Sequence, residues 1–219
     1  LGAKQLCMSL HGLRSMDSSY AEVRKLLTSL SEKAQTCVEP LGSSDIGLAL
    51  FGLQGMTSEM NETRVLLGTL AQKIQNIGMH PGAIQNNPPP MISGPDGQPI
   101  ADSAFFGMDG MGQMVNAVPP TFLAPDGVTQ LPAPPLEADA IGNALFGLQG
   151  CTSDCPEVSA LMASLVPRIE AWQIVRNSRM VPLDTMTKCI ANSLVGLMKM
   201  STLDISVNTI THALTHTLE

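Results

Sequence analysis

The chain has 219 residues, of which 44% are hydrophobic and 14% charged, so it can bury a substantial core and is not a disordered tail. Its net charge of -7 and its 3% aromatic content argue against an extended nucleic-acid surface, which needs clustered Lys and Arg and stacking rings. No apolar stretch reaches the ~20 residues of a membrane-spanning helix, and no signal-peptide pattern opens the sequence. The five cysteines follow no disulfide spacing and are predicted to be buried apolar residues of a reducing compartment.

Four segments share the pattern Leu-x-Gly-Leu, and two of them contain the same heptapeptide, ALFGLQG, at 49–55 and 144–150. An apolar residue stands six positions before each glycine, and the spacing onward is that of one helix face. The pattern predicts a first helix in each repeat, at 4–16, 44–56, 139–151 and 188–200. The shared glycines are Gly12, Gly52, Gly147 and Gly196.

A second segment keeps the same register in all four repeats. Six residues after the glycine come Ser18, Ser58, Ser153 and Thr202, residue types that cap helix N termini. Leu or Ile follows at the fourteenth and eighteenth positions after each glycine. The sequence therefore predicts a second helix, antiparallel to the first, with its own apolar stripe.

Neither helix of such a hairpin can bury its stripe alone, so neighbouring hairpins must stack. The sequence predicts an all-α fold, an α-solenoid of stacked helix-hairpin repeats interrupted by a long Pro/Gly-rich insert, with two hairpins in 1–77 and two in 138–219. A glycine inside a helix costs roughly 1 kcal/mol relative to alanine. We infer that the shared glycine lets a neighbouring helix approach closely. A helical bundle with accidental similarity is the alternative.

The insert, residues 78–137, holds twelve of the sixteen prolines and eight glycines, is acidic, and contains no Lys or Arg. Within it, AFFGMDGM at 104–111 resembles ALFGLQGM at 49–56, which predicts a decayed half-repeat near 101–114; chance similarity is the alternative. Its apolar side chains are predicted to bind a partner or to fill a gap in the solenoid. These partner-binding candidates are Phe105, Phe106, Met108, Met111 and Met114.

No motif for catalysis or for a cofactor is recognisable. Cys151 and Cys155 are four residues apart, but Cys151 occupies a core register of the repeat. His212 and His216 lie one helical turn apart and could bind zinc only with a third ligand, for which Cys189 is a candidate. Packed or solvated histidines are the alternative, and we expect neither metal nor cofactor.

The segments Ile141–Leu148 and Ile190–Leu197 resemble the first helix of octotricopeptide and related organellar helical repeats, which carry an Ala-Asn-Thr-Leu-Trp-Ala-Leu type of core. The resemblance covers about 130 residues over four units. It implies stacked helical hairpins, an organellar location and RNA binding. This chain has Phe146 or Val195 in place of the tryptophan, lacks the Pro-Pro-Pro-Glu-Trp signature of the family, and is acidic.

Three functions remain open. A non-enzymatic scaffold or linker subunit, binding protein subunits of a large plastid or mitochondrial complex such as a photosynthetic assembly, fits the acidity, the insert and the absence of catalytic motifs. An organellar RNA-binding helical-repeat protein is the alternative, and an enzyme is the third. The scaffold hypothesis predicts weak or no nucleic-acid binding and a soluble or membrane-peripheral location. Leu1 in place of an initiator Met fits a trimmed organellar N terminus.

Overall fold

The computed structural model describes residues 2–76, 122–124, 130–131, 133–176 and 181–216. All of them belong to one compact unit, and a second unit, Gly78–Pro120, lies outside the described residues. The half-repeat predicted near 101–114 therefore falls outside them too. Most of the described residues are helical.

Four helical hairpins follow one another in the described part of the chain. The first helices of the four hairpins are α1 Ala3–His11, α3 Ser43–Phe51, α5 Ala138–Phe146 and α7 Leu183–Leu197. The second helices are α2 Ala21–Thr36, α4 Asn61–Gln75, α6 Pro156–Arg176 and α8 Ile205–Thr215. A short 3-10 helix, Gly12–Ser15, continues α1.

The hairpins pack through like helices. Helix α3 packs between α1 and α5, and α5 in turn packs against α7. The second helices follow the same order, with α4 between α2 and α6 and α6 against α8. The predicted apolar stripes form the core between these rows, since Leu66, Leu161 and Leu165 have no exposed surface. This arrangement buries most of the stripe residues, whereas Leu26 of α2 is 41% exposed.

Two short strands also belong to this unit. Strand β1, Phe122–Leu123, pairs antiparallel with β2, Gln130–Leu131. Ala124 and Leu131 pack with Ala171 and Val175 of α6 in a small separate core. Residues assigned to the insert by sequence thus lie against the third hairpin.

The structure corrects the predicted ends of the first helices, which finish at His11, Phe51, Phe146 and Leu197 and not at 16, 56, 151 and 200. Gly52 and Gly147 do not lie inside helices; each follows the last helical residue, at φ of -62° in the right-handed helical region. A glycine at a helix end does not carry the full interior cost. The close contact alone therefore explains why glycine occurs at these two positions.

The predicted helix caps were also wrong. Helices α2 and α4 begin after Tyr20 and Met60, and no side chain caps either one. Among the second helices whose N-cap is described, only α8 has a side-chain cap, the Asp204 carboxylate, which accepts from the backbone N–H groups of Ser206 and Val207. The serines predicted as caps bind the neighbouring hairpin instead.

Candidate interaction surfaces

The same glycine contact joins each hairpin to the one before it. A methyl group on Gly52 would overlap the carbonyl oxygen of Leu10, two residues before Gly12. The equivalent carbonyl oxygens, of Leu50 and Leu145, lie against Gly147 and Gly196 in the next two junctions. Any side chain would hold these backbones apart. The close approach inferred from sequence is therefore present at all three junctions.

Hydroxyl groups form a second contact at each junction, in the turn just before the second helix. The Ser18 Oγ accepts a hydrogen bond from the Thr57 backbone N–H at 3.1 Å. Ser58 accepts from the Thr152 N–H at 3.0 Å, and Ser153 accepts from the Ser201 N–H at 2.8 Å. The residue six positions after the glycine thus binds the next hairpin, not its own helix.

Aromatic rings and glutamine amides form two further rows along the turns. His11, Phe51 and Phe146 each precede a shared glycine, and their rings stack with centroid separations of 5.8 Å and 5.7 Å. The Gln54 amide donates to the Arg14 carbonyl at 2.6 Å, and the Gln149 amide donates to the Gln54 carbonyl at 3.2 Å. These rows run from hairpin to hairpin and fix their register.

In each of the two middle hairpins, a basic side chain donates a hydrogen bond to the segment that leads into that hairpin. Lys73 donates to the carbonyl oxygen of Cys37, and the Arg168 Nε donates to that of Pro134 at 3.1 Å. Arg168 is only 3% exposed, and burial lowers the pKa of its guanidinium to about 10. Its Nη1 atom has no hydrogen-bond partner within the described ranges. These cations hold the chain connections in place.

A cleft of about 450 Å³ opens beside the segment that leads into α5. Glu137 and Asp139 line it from one side, and Trp172 and Arg176 line it from α6. Arg176 also donates to the His216 carbonyl at 2.6 Å. The cleft brings charges of both signs beside an indole ring.

Large apolar side chains are exposed on the turn between α7 and α8. Met198, Leu203 and Ile205 are 75%, 92% and 83% exposed. The equivalent positions of the other hairpins carry polar or small residues, apart from the proline that opens α6. They are Arg14, Ser19 and Ala21 in the first, Gln54, Glu59 and Asn61 in the second, and Gln149, Asp154 and Pro156 in the third. We call Met198, Leu203 and Ile205 the apolar turn.

The cysteines and histidines form no reactive cluster in the described part of the chain. Burial raises the pKa of the Cys7 and Cys151 thiols to about 12, and that of Cys189 to about 11. A buried protonated thiol is a poor nucleophile. The His212 and His216 rings meet edge to face at 4.5 Å, but no group of three possible metal ligands occurs among the described residues.

The partner-binding residues predicted from sequence, Phe105, Phe106, Met108, Met111 and Met114, all lie outside the described residues. Their role stays a prediction. Sequence reasoning missed the apolar turn, although the signal was available. When the four repeats are compared position by position, the last one carries Leu203 and Ile205 where hairpins one and two carry Ser19, Glu59 or Asn61.

The comparisons with known proteins leave the family of this chain open. No protein-family model matches the sequence, and neither the curated proteins nor the solved structures contain a significant match. Among the described residues, no helix has the length and apolar character required to cross a membrane.

Proposed function

We propose that the chain is an α-solenoid scaffold or linker subunit without enzymatic activity, which binds protein partners in a larger plastid or mitochondrial assembly. The solenoid arrangement is supported by three equivalent junctions, each joined by the same glycine and hydroxyl contacts, and the first two also by a glutamine contact. Repeats joined in this way present extended surfaces for binding.

The observation that carries the proposal is the apolar turn. Met198, Leu203 and Ile205 expose most of their surface, at positions that need no apolar residue for packing in the other hairpins. Grouped exposed apolar residues mark protein interaction sites in soluble domains. The Phe105 and Phe106 segment is proposed as a second contact with the partner.

The charges disfavour the alternative, an RNA-binding repeat protein. Among the described residues, at least five Lys and Arg side chains donate hydrogen bonds within the protein, which leaves fewer cations for phosphates. They are Arg24, Lys73, Arg168, Arg176 and Lys188. RNA affinity depends on clustered free cations. We therefore expect weak, non-specific binding that collapses with modest added salt.

Co-purification tests the protein-binding proposal. A tagged full chain is expressed in the native source, and captured proteins are quantified by mass spectrometry with the chain carrying Met198→Ser, Leu203→Ser and Ile205→Ser. The matched control carries Glu59→Ser and Asn61→Ser on the exposed turn of the second hairpin. Protein partners are expected to be lost with the first variant and kept with the control. Equal capture by both variants would contradict the role of the apolar turn.

A separate variant tests the insert. Phe105→Ser with Phe106→Ser is expected to leave the helical circular dichroism intact and to weaken capture of the same partners. Loss of helical signal would instead make the two rings structural core, and unchanged capture would remove them from the interface.

RNA titration tests the alternative function. Submicromolar binding of one RNA sequence at physiological salt would overturn the scaffold proposal in favour of the RNA-binding one. Binding at low salt alone, without sequence preference, is the expected result.

A further inference from the structure

We propose that this chain associates head to tail with a second copy of itself, the open face of the last hairpin taking the first hairpin of the next molecule. The inference rests on the solenoid arrangement proposed above and adds a partner for its two ends. Each internal junction joins a carbonyl face on the earlier hairpin to a glycine face on the later one. Within the described residues, the first hairpin and the last hairpin each keep one such face exposed.

The last hairpin exposes its carbonyl face within the described residues. Leu194 stands two residues before its glycine and is 53% exposed, whereas Leu10, Leu50 and Leu145 at the same position are at most 1% exposed. Thr202 occupies the position of the junction serines and is exposed. Both residues therefore occupy register positions that form contacts in the three internal junctions, and both are exposed.

The first hairpin keeps the complementary glycine face. A methyl group built on Gly12 meets nothing within 4 Å, unlike one on any of the other three shared glycines. Met16 and Leu26 of the same hairpin are 43% and 41% exposed, although their equivalents in the later hairpins are buried. Those equivalents are Met56, Cys151 and Met200 for Met16, and Leu66, Leu161 and Ile210 for Leu26.

The remaining junction contacts are also available across two copies. Arg14 lies where Gln54 and Gln149 donate to the preceding hairpin, and its guanidinium is a hydrogen-bond donor as well. His11 occupies the position whose ring, in the second and third hairpins, stacks on the ring of the preceding hairpin. Val195, at the same position of the last hairpin, offers an apolar side chain to the His11 ring of a second copy. The three internal junctions thus indicate what covers each exposed face, namely the complementary face of a second copy of the chain.

Such a contact is heterologous, so it does not close at two molecules and extends into longer chains as concentration rises. Sedimentation velocity of the 219-residue chain from about 1 to 200 μM is expected to show a growing series of species. A single monomeric species across this range would overturn the inference.

Two variants each block one end. Gly12→Leu fills the glycine face, where the monomer has room for the side chain, and Leu194→Asp places a charge on the exposed carbonyl face. Each alone is expected to weaken self-association about tenfold or more, because every contact needs both faces. Circular dichroism checks that each variant keeps its helices. Continued association of either variant at the wild-type level would contradict the proposed interface.

Mixing the two blocked variants gives the sharpest outcome. The Gly12→Leu chain retains its carbonyl face and the Leu194→Asp chain retains its glycine face, so a mixture is expected to form a 1:1 dimer and nothing larger. Failure of the mixture to pair while the wild type associates would refute the head-to-tail geometry. If the chain does not self-associate, the scaffold proposal still stands. If substitution of an internal shared glycine does not destabilise the fold, the solenoid arrangement itself is contradicted.

Discussion

The same substitution is expected to have opposite effects at two glycines with nearly the same backbone conformation. Gly12 has φ of -59° and ψ of -23°, and Gly147 has φ of -62° and ψ of -17°, so alanine fits the backbone at both. Restricting the unfolded chain then stabilises the protein by about 0.4–1 kcal/mol. Because nothing lies within 4 Å of the added methyl group at Gly12, Gly12→Ala should be stabilising by this amount.

At Gly147 the added methyl group would overlap the Leu50 carbonyl oxygen and lie 2.8 Å from the Phe51 backbone nitrogen. Both are backbone atoms of a packed helix end and cannot move aside as a flexible side chain can. Overpacking of this kind costs about 1–3 kcal/mol. After subtraction of the unfolded-chain gain, Gly147→Ala is expected to be destabilising by about 1–2 kcal/mol.

Urea and thermal denaturation measure the difference. Circular dichroism reports the helices, and the only tryptophan, Trp172, is 3% exposed on α6 and reports the third hairpin by fluorescence. Each kcal/mol corresponds to about 2–4 °C in melting temperature for a chain of this size. If Gly147→Ala were as stable as Gly12→Ala, the tight junction would not exist in solution and the repeat arrangement would need revision.

Two further predictions address the hydroxyl row and the buried thiols. Ser58→Ala leaves the Thr152 N–H without its acceptor and should cost about 1–2 kcal/mol in urea denaturation, whereas Thr202→Ala at the exposed end should cost nearly nothing; equal losses would contradict the junction role. Because burial raises the pKa of the Cys7 and Cys151 thiols from 9.0 to about 12, the unfolded chain ionises first. The stability they contribute should be intact below pH 9 and fall between pH 9 and 12, and an equally steep fall in Cys7→Ala with Cys151→Ala would exclude the thiols as its cause.

The repeat register was predictable because its determinants are local and periodic. Leu6, Ile46 and Ile141 recur at one distance from a shared glycine, and all three are fully buried. Helix ends were not predictable in the same way. Gly52 looks like a helix-interior residue in the sequence, but helix α3 ends at Phe51, and the local pattern does not show the contact with the Leu10 carbonyl, 42 residues away.

The serines failed as predicted caps for a related reason. Ser18 and Ser58 have the residue type and spacing of N-caps, but residue type cannot say whether the N–H that a hydroxyl meets belongs to its own helix or to its neighbour. In this fold the neighbour's N–H, of Thr57 or Thr152, comes closer. The apolar turn was readable from the alignment of repeats, while the insert candidates Phe105 and Phe106 remain predictions.

The junctions have a direction, and that direction constrains what the array can bind at its ends. In every junction the glycine belongs to the later hairpin and the carbonyl it contacts to the earlier one, as with Gly147 against Leu50. The two ends of the array therefore differ chemically, with Gly12 at one and Leu194 at the other. A partner that fits one end does not fit the other unless it carries both faces. A second copy of this chain does so, which is why a variant blocked at either end should still pair with one blocked at the opposite end.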